Sequence, residues 1–197
     1  YDELLKTYPA FVYVSGNVSD KELQNFIDKF DMIQRRNIEP LLDSDIGKKR
    51  SEPFRVEEPM DVSQGQLCIG CRTQIPANSP DYYPLAVYNG ILGGGVQSKL
   101  FQNVREKESL AYSAFSLLEK FKGLLVACCG IEIANRDKAE KIIMDQFKAL
   151  ENGDISDYEI EATKKSFENG LRSMQDSQGA VVDFYFSQYL SGVDESL

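Results

Sequence analysis

The reactive side chains of this chain are few, and an absence shapes them first. The 197 residues include no histidine. That removes a Ser-His-Asp triad, a histidine zinc site and an H-x-x-E-H motif. Four cysteines remain: Cys68, Cys71, Cys128 and Cys129. Cys68-Ile69-Gly70-Cys71 has C-x-x-C spacing, but a redox motif of that kind sits at a helix start, where the dipole lowers a thiol pKa. The surrounding run, Gln66 to Arg72, reads as a strand. Residues three apart on a strand face opposite sides, and so do the neighbours Cys128 and Cys129. The four read as small apolar strand residues in a reducing compartment. The alternative is zinc held jointly by Cys68 or Cys71 and one of Cys128 and Cys129, or a stand-alone redox module. Two further polar side chains are brought to one corner of the fold. Arg105 sits in the last turn of a helix, and Tyr112 lies near the start of the strand that follows.

The stretch around that corner, Gly93 to Ser113, reads as a series of physical events. Gly93, Gly94 and Gly95 end one helix, because glycine enters the left-handed region without steric cost. Ser98 caps a second helix. That helix turns Leu100, Phe101 and Val104 toward a core and closes with Arg105, Glu106, Lys107 and Glu108. A strand begins at Leu110. The ordered set Gly93-Gly94, Ser98, Leu100-Phe101, Arg105-Glu106 and Leu110-Ala111-Tyr112-Ser113 resembles the signature of the inverzincin zinc metallopeptidases. This is the group of pitrilysin, insulin-degrading enzyme and mitochondrial processing peptidase. The match is to the second half-domain, the one without zinc, in a bacterial-type member. Lys99 stands where arginine is common, and Ser109 where glycine is common.

The resemblance implies a clamshell of two halves or two subunits closing on a peptide. One bears zinc on H-x-x-E-H, and the facing half, resembled here over roughly 10–192, supplies an arginine and a tyrosine near the peptide. By position these are Arg105 and Tyr112. In such a site negative charge grows on a peptide carbonyl oxygen, and a guanidinium and a phenol are donors that need no histidine. Losing one such donor costs about 3–4 kcal/mol in the transition state. The expected partners are thus a peptide substrate and a zinc-bearing half-domain or paralogous subunit; this chain by itself holds no metal and is inactive. Spacing alone supports a plainer reading, in which Arg105 pairs with Glu106, Glu108 or the helix carbonyls and Tyr112 is a core aromatic. The family also admits a catalytically inactive structural or peptide-binding subunit of the same fold.

Bulk properties fit a globular chain. Apolar residues make up 42% and charged residues 27%, ordinary for a soluble domain. The formal charge of −9 argues against a nucleic-acid footprint, which is basic. No apolar run is long enough to span a membrane, no signal peptide is visible, and the expected location is cytoplasmic. The start at Tyr1 without methionine reads as a fragment of a longer protein. Residues 1–197 read as one α+β half-domain, an antiparallel sheet with helices packed on one face, of the LuxS and processing-peptidase type.

In chain order, Phe11 to Gly16 reads as a strand. Ser19-Asp20-Lys21-Glu22 is a capping box, with Leu23, Phe26, Ile27 and Phe30 on the stripe of its helix. Residues 35–53 read as a loop with a basic spot at Lys48-Lys49-Arg50. Phe54 to Val62 and Gln66 to Ile75 read as two strands, the second interior. Ser79-Pro80 starts a helix to Leu92 that is apolar on most faces and packed against the sheet under another helix or a partner domain. Leu110 to Leu118 and Gly123 to Ile133 form a second strand pair, with Leu125, Ala127, Cys129, Ile131 and Ile133 on the core face. Three helices follow: Asn135 to about Asn152, Ser156 to about Met174, and Ala180 to Leu190. The second is read with Ile160, Phe167, Leu171 and Met174 inward. The tyrosine-rich helix and the aromatic last helix hint at a lost interface, so that self-association is expected.

Overall fold

The computed structural model describes residues 1–40, 46–47 and 51–194; Lys48-Lys49-Arg50 lies outside the described residues. The chain divides into two compact units, Asp45–Asn169 and Tyr1–Ser44 with Gly170–Leu197.

The larger unit is built on a three-stranded antiparallel sheet in the order β1-β3-β2, with β1 Gly65–Arg72, β2 Ala111–Glu119 and β3 Leu124–Ile131. The expected α+β class, with helices on one sheet face, is what forms. Helix α3 (Tyr82–Gly93) packs on β2, and α4 (Arg136–Glu151) packs on β3. Leu125, Ala127, Cys129 and Ile131 meet Leu92, Leu100, Val104, Ala139 and Ile143 in one buried cluster. The opposite face leaves Phe115 and Leu117 exposed. Helix α5 (Asp157–Gln175) opens on the expected capping box, in which Ser156 and Glu159 bond reciprocally.

Two strand expectations are corrected in this unit. Phe54 to Val62 forms no strand and lies exposed. Pro53 and Pro59 bring no backbone donor, and no strand pairs with the segment among the described residues. Two exposed ion pairs run from it to α4, Arg55–Glu140 at 2.6 Å and Glu57–Arg136 at 2.5 Å. The second run does form β1, but at a sheet edge rather than in the interior. Its apolar content is needed only on one side, where Leu67 and Ile69 reach the core.

The glycines at the end of α3 serve a different purpose from the one read in the sequence. Gly93, Gly94 and Gly95 all avoid the left-handed region. Gly93 instead lies so close to β2 that a Cβ would collide with the backbone nitrogen of Ser116, and a Cβ on Gly90 would collide with the Thr163 methyl of α5. Only the C-terminal turn of α3, Gly90 to Gly93, is fully buried. The helix begins at Tyr82, two residues beyond Pro80, with the Ser79 hydroxyl accepting from the Asp81 amide at 3.2 Å. Asn135 occupies the cap position of α4 without a side-chain cap bond, after a 3-10 turn at Ile133–Asn135.

The smaller unit holds α1 (Asp2–Thr7), α2 (Asp20–Asp31) and α6 (Gln178–Ser191). α1 was not legible in the sequence. The capping box of α2 is complete, yet its apolar stripe is open, with Phe26 48% exposed. Phe11 to Gly16 is not a strand; no ladder partner exists among the described residues. Its side chains pack instead on α6, Phe11 against Tyr189 at 4.8 Å between ring centroids and Tyr13 against Phe186 at 5.7 Å. Phe167 and Leu171 of α5, expected to point inward, are exposed as well.

Because the obstacle at Gly93 is backbone rather than a movable side chain, Gly93→Ala is expected to destabilise the larger unit by about 1–3 kcal/mol, the usual cost of overpacking. Urea unfolding followed by circular dichroism measures it.

Candidate functional site

The corner carrying Arg105 and Tyr112 is assembled from the signature stretch. Ser98 is fully buried, and its hydroxyl accepts from the Phe101 amide at 3.4 Å. This is the helix start read from the sequence. Leu100 and Val104 are fully buried, as expected. Lys99 sends its ammonium to Glu159 of α5 at 2.9 Å, with the two side chains only 10% and 14% exposed. Asn103 donates to the Lys99 carbonyl at 3.0 Å and to Gln146 of α4 at 2.8 Å.

From Phe101 to Lys107 the helix is wound as a π-helix of seven residues. Such i→i+5 segments are rare and are frequent at functional sites. Arg105 lies within it. Its guanidinium carbon lies over the Phe101 ring, 4.5 Å from the centroid, in cation–π contact. The Glu106 carboxylate is 3.8 Å away, an exposed and therefore weak ion pair. The pairing with Glu106 expected from spacing thus exists, but it leaves most of the guanidinium's donors available to another acceptor.

Ser109 then reverses the chain with φ at +51°. This is the position where the resemblance favours glycine, and the backbone conformation supplies the reason. Tyr112 follows at a break in register. Ala111 is opposite Ile131 and Ser113 is opposite Gly130, so Tyr112 is the extra residue of a β-bulge. Beyond the bulge, Ala114 and Ser116 are buried and Phe115 and Leu117 exposed. An unbroken alternation from those residues would carry Tyr112 to the buried face. The bulge instead leaves it 57% exposed, with its hydroxyl 3.5 Å from a Glu132 carboxylate oxygen. Tyr112 is therefore not a core aromatic. The π-helix and β2 pack together; the first carries the exposed Arg105 guanidinium and the second the exposed Tyr112 phenol, whose O–H is directed at Glu132. Their chemistry suits a peptide carbonyl or carboxylate oxygen.

The cysteines divide by face as the strand reading requires. Cys71 and Cys129 turn toward the helices, and Cys68 and Cys128 lie opposite each other on the open face. Burial raises the Cys71 thiol and pushes Cys129 up to about 12. Among the described residues no group of three or more His, Cys, Asp or Glu could hold a metal ion. The described residues do not fit a zinc site.

Residues 9–167 match the family model described as "Peptidase M16 inactive domain". This chain belongs to that family. Within it, the chain is 38% identical over 200 residues to the "Probable inactive metalloprotease YmfF" of Bacillus subtilis, covering 98% of this chain and 47% of that protein. It is 25% identical to "Uncharacterized zinc protease YmxG" of the same organism, covering 81% of this chain and 38% of that protein. Among solved structures, a conserved protein from Enterococcus faecalis superposes with a TM-score of 0.77 at 30% identity, over 89% of this chain and 41% of the other. A peptidase M16 inactive domain from Pseudomonas fluorescens gives a TM-score of 0.70 at 22% identity, over 91% and 43%, and shows the shared fold. This inactive-domain chain spans less than half the length of the curated relatives it matches.

The sequence names Arg105 and Tyr112 as candidates, but three structural features around them were missed: the π-helix, the bulge and the Lys99–Glu159 pair. Two signals were present, a serine at a position favouring glycine and a capping-box glutamate that also serves a second role.

Two stability measurements follow. Ser109→Gly removes the left-handed penalty of a residue with a Cβ, so it is expected to raise stability by about 1 kcal/mol in urea unfolding. Burial pushes the Glu159 carboxyl up, but the Ser156 amide and the Lys99 ammonium outweigh that and hold it below the usual carboxylate range. Its contribution is therefore complete above the unfolded carboxylate pKa and is lost as pH falls through the lower folded value. Glu159→Gln is expected to cost about 3 kcal/mol at neutral pH. That gap to the unsubstituted protein narrows in urea titrations carried into acid.

Proposed function

We propose that this chain is the peptide-gripping, non-zinc half of a zinc-dependent metalloendopeptidase. Its zinc would be held by another domain or by a paralogous subunit, which is the partner this reading requires. The observation that carries the reading is the bulge at Tyr112. It directs a phenol outward on the strand that packs against the helix whose Arg105 lies over an aromatic ring. In this role the two side chains donate hydrogen bonds to a bound peptide's carbonyl oxygens, with the Phe101 ring against the guanidinium. The four thiols suit a reducing location such as the cytoplasm. No helix among the described residues is long and apolar enough to cross a membrane.

A second reading is favoured by the name of the Bacillus subtilis relative, which is called inactive. In it, the chain belongs to a subunit that binds peptide or supports an assembly without cleaving it.

The test is peptide cleavage and peptide binding by the full-length protein with its zinc-bearing partner. Arg105→Ala and Tyr112→Phe are compared with the unsubstituted chain. The first reading expects Tyr112→Phe to lower kcat by about 10²–10³-fold, the loss seen for one transition-state donor. Both side chains are exposed, so unfolding is expected to shift by less than about 0.5 kcal/mol. Binding that weakens without any cleavage selects the second reading. Cleavage and binding both unchanged would remove Arg105 and Tyr112 from the site.

A further inference from the structure

The open face of the sheet carries a feature that peptide gripping does not use. Cys68 of β1 is the register partner of Cys128 of β3, and their Sγ atoms are 3.1 Å apart. Residues directly opposite on antiparallel strands have Cα atoms about 4.5–5.5 Å apart. That lies inside the disulfide window of about 4.4–6.8 Å. Two thiolates on a tetrahedral zinc, with Zn–S near 2.3 Å, would be held about 3.8 Å apart. The observed approach is thus too close for a zinc bite and about 1 Å from a covalent bond. The other two cysteines have no such arrangement. Cys71 is opposite Leu125, and Cys129 is opposite Leu67.

The two thiols differ in access. Cys68 is exposed on an edge strand, whereas Cys128 is buried in the central one. Burial, reinforced by Cys68 beside it, pushes the Cys128 thiol up to about 12. Cys68 is therefore the sulfur an oxidant reaches first.

We propose that Cys68 and Cys128 form a reversible cross-strand disulfide, with Cys68 the peroxide-reactive thiol and Cys128 the resolving one. The oxidant class is a hydroperoxide. The Cys68 sulfur attacks the O–O bond, so that an S–O bond forms and the O–O bond breaks. The departing oxygen takes the Cys68 proton and leaves as water or an alcohol. The Cys128 sulfur then attacks the Cys68 sulfenic acid. An S–S bond forms, the S–O bond breaks, and the hydroxyl leaves as water with the Cys128 proton. Two thiols are oxidised by two electrons, and one peroxide is reduced. A dithiol reductant reverses the step by exchange. The product staples edge strand β1 to the sheet centre, beside Phe115, the register partner of Cys128 on β2. This inference does not depend on the peptidase reading.

The test uses purified full-length protein in which Cys71→Ser and Cys129→Ser leave only this pair in the chain. The protein is reduced, freed of reductant, treated with hydrogen peroxide, blocked with N-ethylmaleimide and digested without reductant for tandem mass spectrometry. The unsubstituted protein is run in parallel, with fragmentation between Cys128 and Cys129 assigning the sulfur, so that a fold defect in the variant does not decide the result. The expected product is a peptide pair joined through Cys68 and Cys128 within one chain. Dithiothreitol should return it to two alkylatable thiols. Recovery of both residues as maleimide adducts after peroxide would overturn the proposal. So would Cys68 found only as sulfinic or sulfonic acid, or a cross-link that joins two chains.

Discussion

An ammonium and a carboxylate, both largely withdrawn from water, hold the start of the signature helix against α5. The geometry of the corner depends on this pair. A buried charge without its partner costs several kcal/mol, so Lys99 is constrained to the one placement that reaches Glu159. That placement fixes the direction of Leu100 and Val104 into the core, and through them the π-helix that carries Arg105. Glu159 is itself fixed by Ser156, since the same carboxylate closes the capping box of α5. The carboxylate is therefore positioned by the capping box before it meets Lys99. An arginine at position 99, as the resemblance favours, could add a second bond to the carboxylate through its forked donors.

The same corner shows why glycine content is read poorly without coordinates. Gly90 and Gly93 are required by the approach of α5 and β2, not by any unusual φ. Ser109 occupies the backbone region in which glycine is at ease. A left-handed residue and a close-packed residue both appear in a sequence as "glycine expected here", and only neighbouring elements separate them.

Legibility followed the range of the interactions. The capping boxes at Ser19 and Ser156 are made within four residues, and both formed as read. The helices they start, and the strands around Cys68, Ser113 and Cys128, followed from local pattern. Phe11 to Gly16 and Phe54 to Val62 have strand-like composition but no ladder in the described structure, because a strand needs a partner that composition does not name. The place of β1 at an edge rather than the centre is likewise a matter of pairing order. Arg105 and Tyr112 were singled out as candidates by resemblance. The bulge that exposes Tyr112 was not, since one extra residue changes the facing of a strand without changing its residue types. The apolar stripe of α2 was legible as a stripe, but that it stays uncovered within the described residues was not.

The π-helix has a geometric corollary. Each of its hydrogen-bonded rings encloses one residue more than an α-helical ring. The segment Phe101–Lys107 thus holds more residues per turn than α winding would. Losing one codon there would let the segment relax to ordinary α winding. The exit toward Ser109 would then rotate by about 100° around the helix axis, and the direction of everything after it would change together. Deleting one exposed residue of this stretch would therefore re-aim the corner while keeping every residue that packs its core.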